Sequence, residues 1–282
     1  MGRQHRRMLL CCRLFFYKEV IMYIANAGLF VKDLEGARKF FEDYFGAKLA
    51  FEYNEEENKY YSYIMDLGDG ARIELMTKPE IVDTPKDPNR TGFAHVAIRV
   101  PSREKLNEVI DRFHENGYHF FYEPSSREGN GECRVVTFED IVLEVSYKDT
   151  EPALRMANVG IFVKDLEGAR KFFEDYFGAT LAFEYNEEDN KYYSYIMNVG
   201  DGAKLELMTK PEIVDQPKEW NRTGIAHMAI RVDSREKLNE VIRRFHENGY
   251  HFFYEPKGNE GRECRVVTFE DNILEVAVEA GM

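Results

Sequence analysis

Along residues 23–31, YIANAGLFV, apolar positions alternate with small or polar ones, which predicts a strand. DLEGARKFFEDYFG follows, with an Asp at the N-cap position, apolar residues at helical spacing and a closing Gly, and this predicts a helix. Three strand-like runs come next, KLAFEYN, KYYSYIMDL and ARIELMT, parted by the turn signals EEEN and GDG. The order is βαβββ. After the loop KPEIVDTPKDPNRTG the same order returns as FAHVAIRV, the helix SREKLNEVIDRFHENG, and the runs YHFFYEP, CRVVTFE and IVLEVSY.

The whole arrangement then recurs. A shift of 132 positions lays residues 26–124 on 158–256 with 84 of 99 positions identical. Beyond Pro124 the register slips by one residue in a glycine-containing stretch, so Cys133 corresponds to Cys264 and Glu144 to Glu275. A period of this length is a domain rather than a solenoid unit. The expected organisation is a first domain at 22–147, a linker KDTEPA at 148–153, a second domain at 154–282 and an N-terminal extension at 1–21. The extension opens with basic residues, but its apolar run MLLCC is cut short by Arg13 and no small-residue cleavage site follows, so it is not read as a targeting signal.

Residues two apart on a strand share a face. In FAHVAIRV, Val96, Ile98 and Val100 share one face and His95 the other, with Ala97 and Arg99. Glu74 stands opposite Ile73 and Leu75, and Glu144 opposite Leu143 and Val145. In YIANAGLFV, Ala25, Ala27, Leu29 and Val31 lie on one side, and Ile24, Asn26, Gly28 and Phe30 on the other. One face therefore packs on helices while a second carries Asn26, Glu74, His95 and Glu144. A one-sided antiparallel sheet in water gives the same alternation with no site at all. The second face, however, also holds large aromatics: Phe30, two residues of KYYSYI and some of YHFFYEP. A concave aromatic surface with a few ionisable groups is the usual form of a small-molecule site.

Composition narrows the partners. The chain has 282 residues, 44% apolar, with 38 Lys plus Arg against 51 Asp plus Glu, a formal net charge of −13. Such a balance argues against nucleic acid or an anionic membrane as the partner. No stretch approaches the roughly 18 to 20 apolar residues of a membrane span. Four cysteines, Cys11, Cys12, Cys133 and Cys264, make neither a disulfide framework nor a CxxC metal knot, and a cytoplasmic setting is expected.

The stretches GLFVKDLEGARKFFEDYFGAKL, GDGARIELMT, GFAHVAIRV and FEDIVLEV, in this order and spacing, resemble the vicinal oxygen chelate superfamily of glyoxalase I, bleomycin and fosfomycin resistance proteins and extradiol dioxygenases. The resemblance covers about 22–147 and 154–278. It implies an α+β fold of four tandem βαβββ modules in curled mixed sheets with the helices outside, curving around a divalent metal. The ligand positions it implies are Asn26, Glu74, His95 and Glu144 in the first copy, and Asn158, Glu206, His227 and Glu275 in the second. Family members usually carry His or Gln where Asn26 and Asn158 stand. Either the amide oxygen completes an oxygen-rich set, tilting the choice among Zn, Ni, Mn, Fe and Mg toward Mn, Fe or Mg, or Glu, His and Glu hold the metal alone.

By the same resemblance Glu144 and Glu275 would shuttle protons in a metal-dependent lyase or isomerase acting on a small oxygenated substrate. Two family positions that grip glutathione are here Phe30 and Lys78, and Phe162 and Lys210, which argues against a glutathione adduct. One histidine per set argues against an extradiol dioxygenase. The alternatives are a metal-free drug- or toxin-binding resistance protein and a catalytically silent scaffold. In many members of the family that the chain resembles, a single copy dimerises and each metal is shared between two chains. Here the pairing could be intramolecular, joining Asn26 and Glu74 with His227 and Glu275, or each copy could keep its own four ligands, in a monomer or a homodimer. His114 and His246 fall at helix ends, His119 and His251 start strands, Cys133 and Cys264 pack in the core, and Trp220 replaces Pro88 in a loop that could make the two sites' lids differ.

Overall fold

In the computed structural model all four βαβββ units form, and the structure describes residues 22–68, 70–257 and 261–278; the proposed extension at 1–21 lies outside them. The first unit is β1 (Tyr23–Phe30), α1 (Leu34–Phe45), β2 (Lys48–Glu55), β3 (Tyr60–Asp66) and β4 (Arg72–Thr77). The second is β5 (Gly92–Arg99), α2 (Arg103–Glu115), β6 (His119–Tyr122), β7 (Gly131–Val136) and β8 (Val142–Tyr147). The third is β9 (Arg155–Phe162), α3 (Leu166–Phe177), β10 (Thr180–Glu187), β11 (Tyr192–Asn198) and β12 (Lys204–Thr209). The fourth is β13 (Gly224–Val232), α4 (Arg235–Glu247), β14 (His251–Tyr254), β15 (Glu263–Val267) and β16 (Ile273–Val278).

Local chemistry accounts for the helix limits. Asp33 accepts from the Gly36 amide at 2.8 Å at the start of α1, and Gly46 closes it in the left-handed conformation. Ser102 caps α2 in the same way through the Lys105 amide. Such caps contribute about 1 kcal/mol each. His114 and His246 end their helices stacked on Phe120 and Phe252 and paired with Glu123 and Glu255, and Cys133 and Cys264 are buried.

Strand order is β14-β15-β16-β13-β1-β4-β3-β2 in one sheet and β10-β11-β12-β9-β5-β8-β7-β6 in the other. Each sheet is thus half from the first copy and half from the second, joined by the antiparallel seams β1–β13 and β5–β9. Helices tie the copies the other way. Phe40 and Tyr44 of α1, which packs on the first sheet, stack on Phe113 of α2, which packs on the second. A single apolar core, holding Phe41, Phe113, Phe173 and Phe245 at zero exposure, runs through both copies.

Two expectations from alternation are corrected. A register shift between Ile24 and Asn26 breaks the period of β1, so Ile24 joins the helix-side core with Ala27 and Leu29 instead of facing the site. In KYYSYI, Tyr60 turns toward Glu74 and Glu275, whereas the Tyr63 hydroxyl lies on the helix side, 2.6 Å from Glu35.

Two straps, loops 78–91 and 210–223, interlock over the seams. Val82 exchanges backbone bonds with Asn221 and Thr223, and Val214 with Asn89 and Thr91. The Thr223 and Thr91 hydroxyls donate to Asp83 and Asp215 at 2.7 and 2.9 Å. Lys86 reaches the Glu139 carbonyl and Lys218 the Glu270 carbonyl. Glu139 and Glu270 sit at positive φ in tight turns, and their carboxylates accept from the amides of Lys32 and Lys164 just before α1 and α3.

A fragment of residues 22–150 leaves β1 and β5 without their seam partners, so it is expected to pair with a second copy of itself and to sediment at twice its own mass. Burial pulls the ammonium pKa of Lys86 and Lys218 from 10.5 down to about 8. Between these values the unfolded chain holds protons that the fold has released, so stability rises with pH across that window. Thermal melts from pH 7 to 10.5 should show this rise in the native chain and lose it in Lys86→Met/Lys218→Met.

Candidate metal centre

The exchange of strands decides which side chains meet. Asn26 (β1) and Glu74 (β4) share the first sheet with His227 (β13) and Glu275 (β16), and Asn158 (β9) and Glu206 (β12) share the second with His95 (β5) and Glu144 (β8). Each group of four takes two residues from each copy. Of the two arrangements open to the sequence, the structure has the intramolecular, exchanged one.

In the second sheet His95 Nε2 lies 2.9 Å from Asn158 Oδ1 and 3.3 Å from Glu206 Oε2. One ligand atom each of His95, Glu144 and Glu206 falls within 4.8 Å of the others, and the three side chains come from three strands. In the first sheet His227 Nε2 lies 3.3 Å from Glu74 Oε2 and 3.9 Å from Glu275 Oε2. There both Asn26 Oδ1 and His227 Nε2 are buried without a hydrogen-bond partner. Orphaned buried polar atoms are costly. A cation at this point would satisfy the amide oxygen and the imidazole nitrogen together, and the His/Glu/Glu cluster of the second sheet could likewise hold a metal ion.

The imidazoles owe their position to glycines. Gly28 faces His227 across the seam, and Gly160 faces His95. A Cβ on either glycine would come 2.1 Å from the ring Cε1, so only a bare backbone lets the imidazole lie against the neighbouring strand. Both histidines are 1% exposed.

Around the last carboxylate is a cage that the sequence pattern left unassigned. Arg134 Nη2 donates to Glu144 Oε2 at 2.8 Å, and the Tyr122 hydroxyl oxygen stands 3.1 Å from the same oxygen. Arg265 and Tyr254 do the same for Glu275 Oε2 at 2.7 and 3.2 Å. Burial pushes both carboxyls up, but the adjacent His95 and Arg134, and His227 and Arg265, outweigh it and hold them below the usual carboxylate range. Burial and the Glu144 charge push Glu132, which accepts from Tyr122 at 2.5 Å, up to about 7. Burial also raises Tyr60 and Tyr192, which approach Arg265 and Arg134 from the other copy, so both phenols stay protonated. The missed signal was available: in CRVVTFE, Arg134 alternates with the buried Cys133 and Val135, which puts it on the face of Glu144, its cross-strand partner.

Phe30, Met76 and Ile81 form a small apolar cluster apart from the main core. Lys78 lies over the Phe30 ring at 5.4 Å and Lys210 over Phe162 at 5.5 Å, so each substituted pair of the family positions contacts itself. Phe121, Tyr122, Phe162, Lys210 and Trp220 line a cavity of about 480 Å³ that reaches His95.

The sequence pattern of the Glyoxalase/Bleomycin resistance protein/Dioxygenase superfamily matches residues 26–137 and 158–269, and the chain belongs to that superfamily. It is 24% identical over 220 residues to a lactoylglutathione lyase of Arabidopsis thaliana, covering 76% of this chain and 75% of that protein. Its fold matches the crystal structure of glyoxalase I from Zea mays with a TM-score of 0.71 at 18% identity, over 93% of this chain and 94% of that one. A single-substitution variant of the maize enzyme matches with a TM-score of 0.72 at 21% identity, over the same 93% and 94%. Among the described residues no helix is long and apolar enough to cross a membrane.

Gly28→Ala and Gly160→Ala should each displace the imidazole opposite. The expected loss is about 1–3 kcal/mol of stability per site, the usual scale of overpacking, read by denaturant unfolding.

Proposed function

We propose that the chain is a metal-dependent lyase or isomerase with two sites, acting on a small substrate that presents two neighbouring oxygens. The carrying observation is the convergence of His95, Glu144 and Glu206 within 4.8 Å, echoed by the unpartnered Asn26 Oδ1 and His227 Nε2 of the twin set. Asn158, Glu206, His95 and Glu144 would hold a divalent ion in one site, and Asn26, Glu74, His227 and Glu275 would do so in the other. When bound, such an ion supplies Lewis acidity, polarising a carbonyl and stabilising the negative charge that develops on its oxygen. The oxygen-rich donor set favours Mn, Fe or Mg over Zn or Ni.

Glu144 and Glu275 are the bases in this reading. Arg134 and Arg265 keep them ionised, so each can take a proton from the carbon beside the carbonyl. The arginine bonds and the tyrosine hydroxyls fall on Oε2, which leaves Oε1 to carry the proton and return it to the neighbouring carbon. Tyr60 and Tyr192 remain neutral donors beside the same carboxylates. The similarity to lactoylglutathione lyase supports a proton-transfer reaction, while the Phe30–Lys78 and Phe162–Lys210 contacts favour a substrate other than a glutathione adduct.

Metal analysis after purification without added ions should find up to two divalent ions per chain, halved by His95→Ala and abolished by His95→Ala/His227→Ala. Metal-free protein that still binds drug-like compounds would instead support sequestration. Exchanged sites also predict an unusual pairing of variants. Glu74→Gln with His227→Ala strikes one site and should leave about half of the metal and of the turnover; Glu74→Gln with His95→Ala strikes both and should leave almost none.

A further inference from the structure

The cavity that reaches His95 extends beneath both straps, and there its lining comes in corresponding pairs from the two copies: Lys86 with Lys218, Arg90 with Arg222, and Gly92 with Gly224. It therefore straddles the relation between the copies, and at one end it meets His95 of the second-sheet set. The lysine stems lie against the glycines. An added Cβ on Gly92 would stand 2.9 Å from Lys218 Cε, and one on Gly224 would stand 3.0 Å from Lys86 Cε.

A largely buried ammonium is normally matched by a carboxylate. Among the described residues neither Lys86 nor Lys218 has a carboxylate oxygen within 4.0 Å. Lys86 uses one donor on the Glu139 carbonyl; Lys218 uses one on the Glu270 carbonyl and a long one, 3.4 Å, on Asn272 Oδ1. An ammonium has three donors, so capacity remains on both. Arg90 donates through Nη2 to the Pro217 carbonyl, and its Nε is buried with no partner. The carboxylates of the lining, Asp87, Asp140, Glu219 and Asp271, only balance these four cations, in a chain whose net charge is −13. Burial draws both lysines down to about 8 and outweighs the opposing pull of Asp140, Asp83 and Glu139 on Lys86 and of Asp271, Asp215 and Glu270 on Lys218, none of whose carboxylates pairs directly with the ammonium. Phe93, Ile225 and Trp220 supply apolar wall, and a volume near 480 Å³ suits a small molecule.

We propose that this cavity is a binding site for a small organic oxyanion, a carboxylate or phosphate group on an apolar body, with Lys86 and Lys218 as its donors. None of these groups belongs to the metal-ligand sets, so the site stands independently of the metal chemistry above. Its position next to His95 lets an occupant lie against the second-sheet centre.

Trp220 is the only tryptophan of the chain and lines the cavity, so its fluorescence reports occupancy directly. The full chain, stripped of metal by a chelator, is titrated with phenyl phosphate and with benzoate. Saturable fluorescence change with either probe is expected, and the tighter of the two identifies the anionic group. Lys86→Met/Lys218→Met, folded by circular dichroism, should weaken binding at least tenfold, while Lys39→Met on the exposed face of α1 should not alter it. His227→Ala, whose side chain does not line the cavity, should bind the probes like the native chain whether or not metal analysis supports two centres, which separates the two readings. If the double variant does not fold, reductive methylation of the native chain read by mass spectrometry replaces it: the better probe should shield Lys86 and Lys218 but not Lys39. Absence of saturation with both probes, unchanged affinity in the folded double variant, or equal methylation with and without probe would overturn the proposal.

Discussion

An imidazole lying against a glycine across an antiparallel seam is the contact on which both centres depend. His227 meets Gly28, and His95 meets Gly160, at points where one copy's strand runs beside the other's. Because the seam is built of backbone hydrogen bonds, its register sets the imidazole relative to the carboxylate one strand further on. Gly28 is level with Glu74 in the parallel β1–β4 pair, and Gly160 with Glu206 in β9–β12. A slip of one residue would turn the histidine into the helix-side core and the cluster would vanish.

From that seam the rest of the architecture follows. Each copy is tied to itself by stacked helix aromatics and to its twin by shared sheets, so neither can leave without breaking both a core and a centre. The straps complete the exchange on the open side, and the αL turns at Glu139 and Glu270 link strap lysines to the loops that start α1 and α3. Positive φ at such residues is unfavourable. A lysine on the carbonyl and two amides on the carboxylate hold each turn in place.

Electrostatically, each centre gathers two carboxylates beside a single histidine, an excess of negative charge that calls for a cation. Arg134 and Arg265 meet part of that demand at one oxygen of the final glutamate. They also keep that glutamate ionised despite its burial, which is the state a proton acceptor requires. The phenols on either side remain neutral and supply donors without adding charge.

Alternation, caps and turn residues were enough to establish the four βαβββ units, their duplication and the shared face of Asn26, Glu74, His95 and Glu144, since all of these rest on interactions between near neighbours in the chain. Local periodicity failed at Ile24, where a register shift changes the face, and it gave no reason to single out Gly28, whose role exists only opposite His227; for Arg134 it offered the face but not the partner, which the pairing of β7 with β8 supplies. Which copy supplies which donor was open in the sequence, because two nearly identical copies satisfy either pairing equally well residue by residue. The tertiary structure decided it through the seams: β1 hydrogen-bonds to β13 and β5 to β9, and strand pairing over such a distance depends on which edges the packed helices bring together.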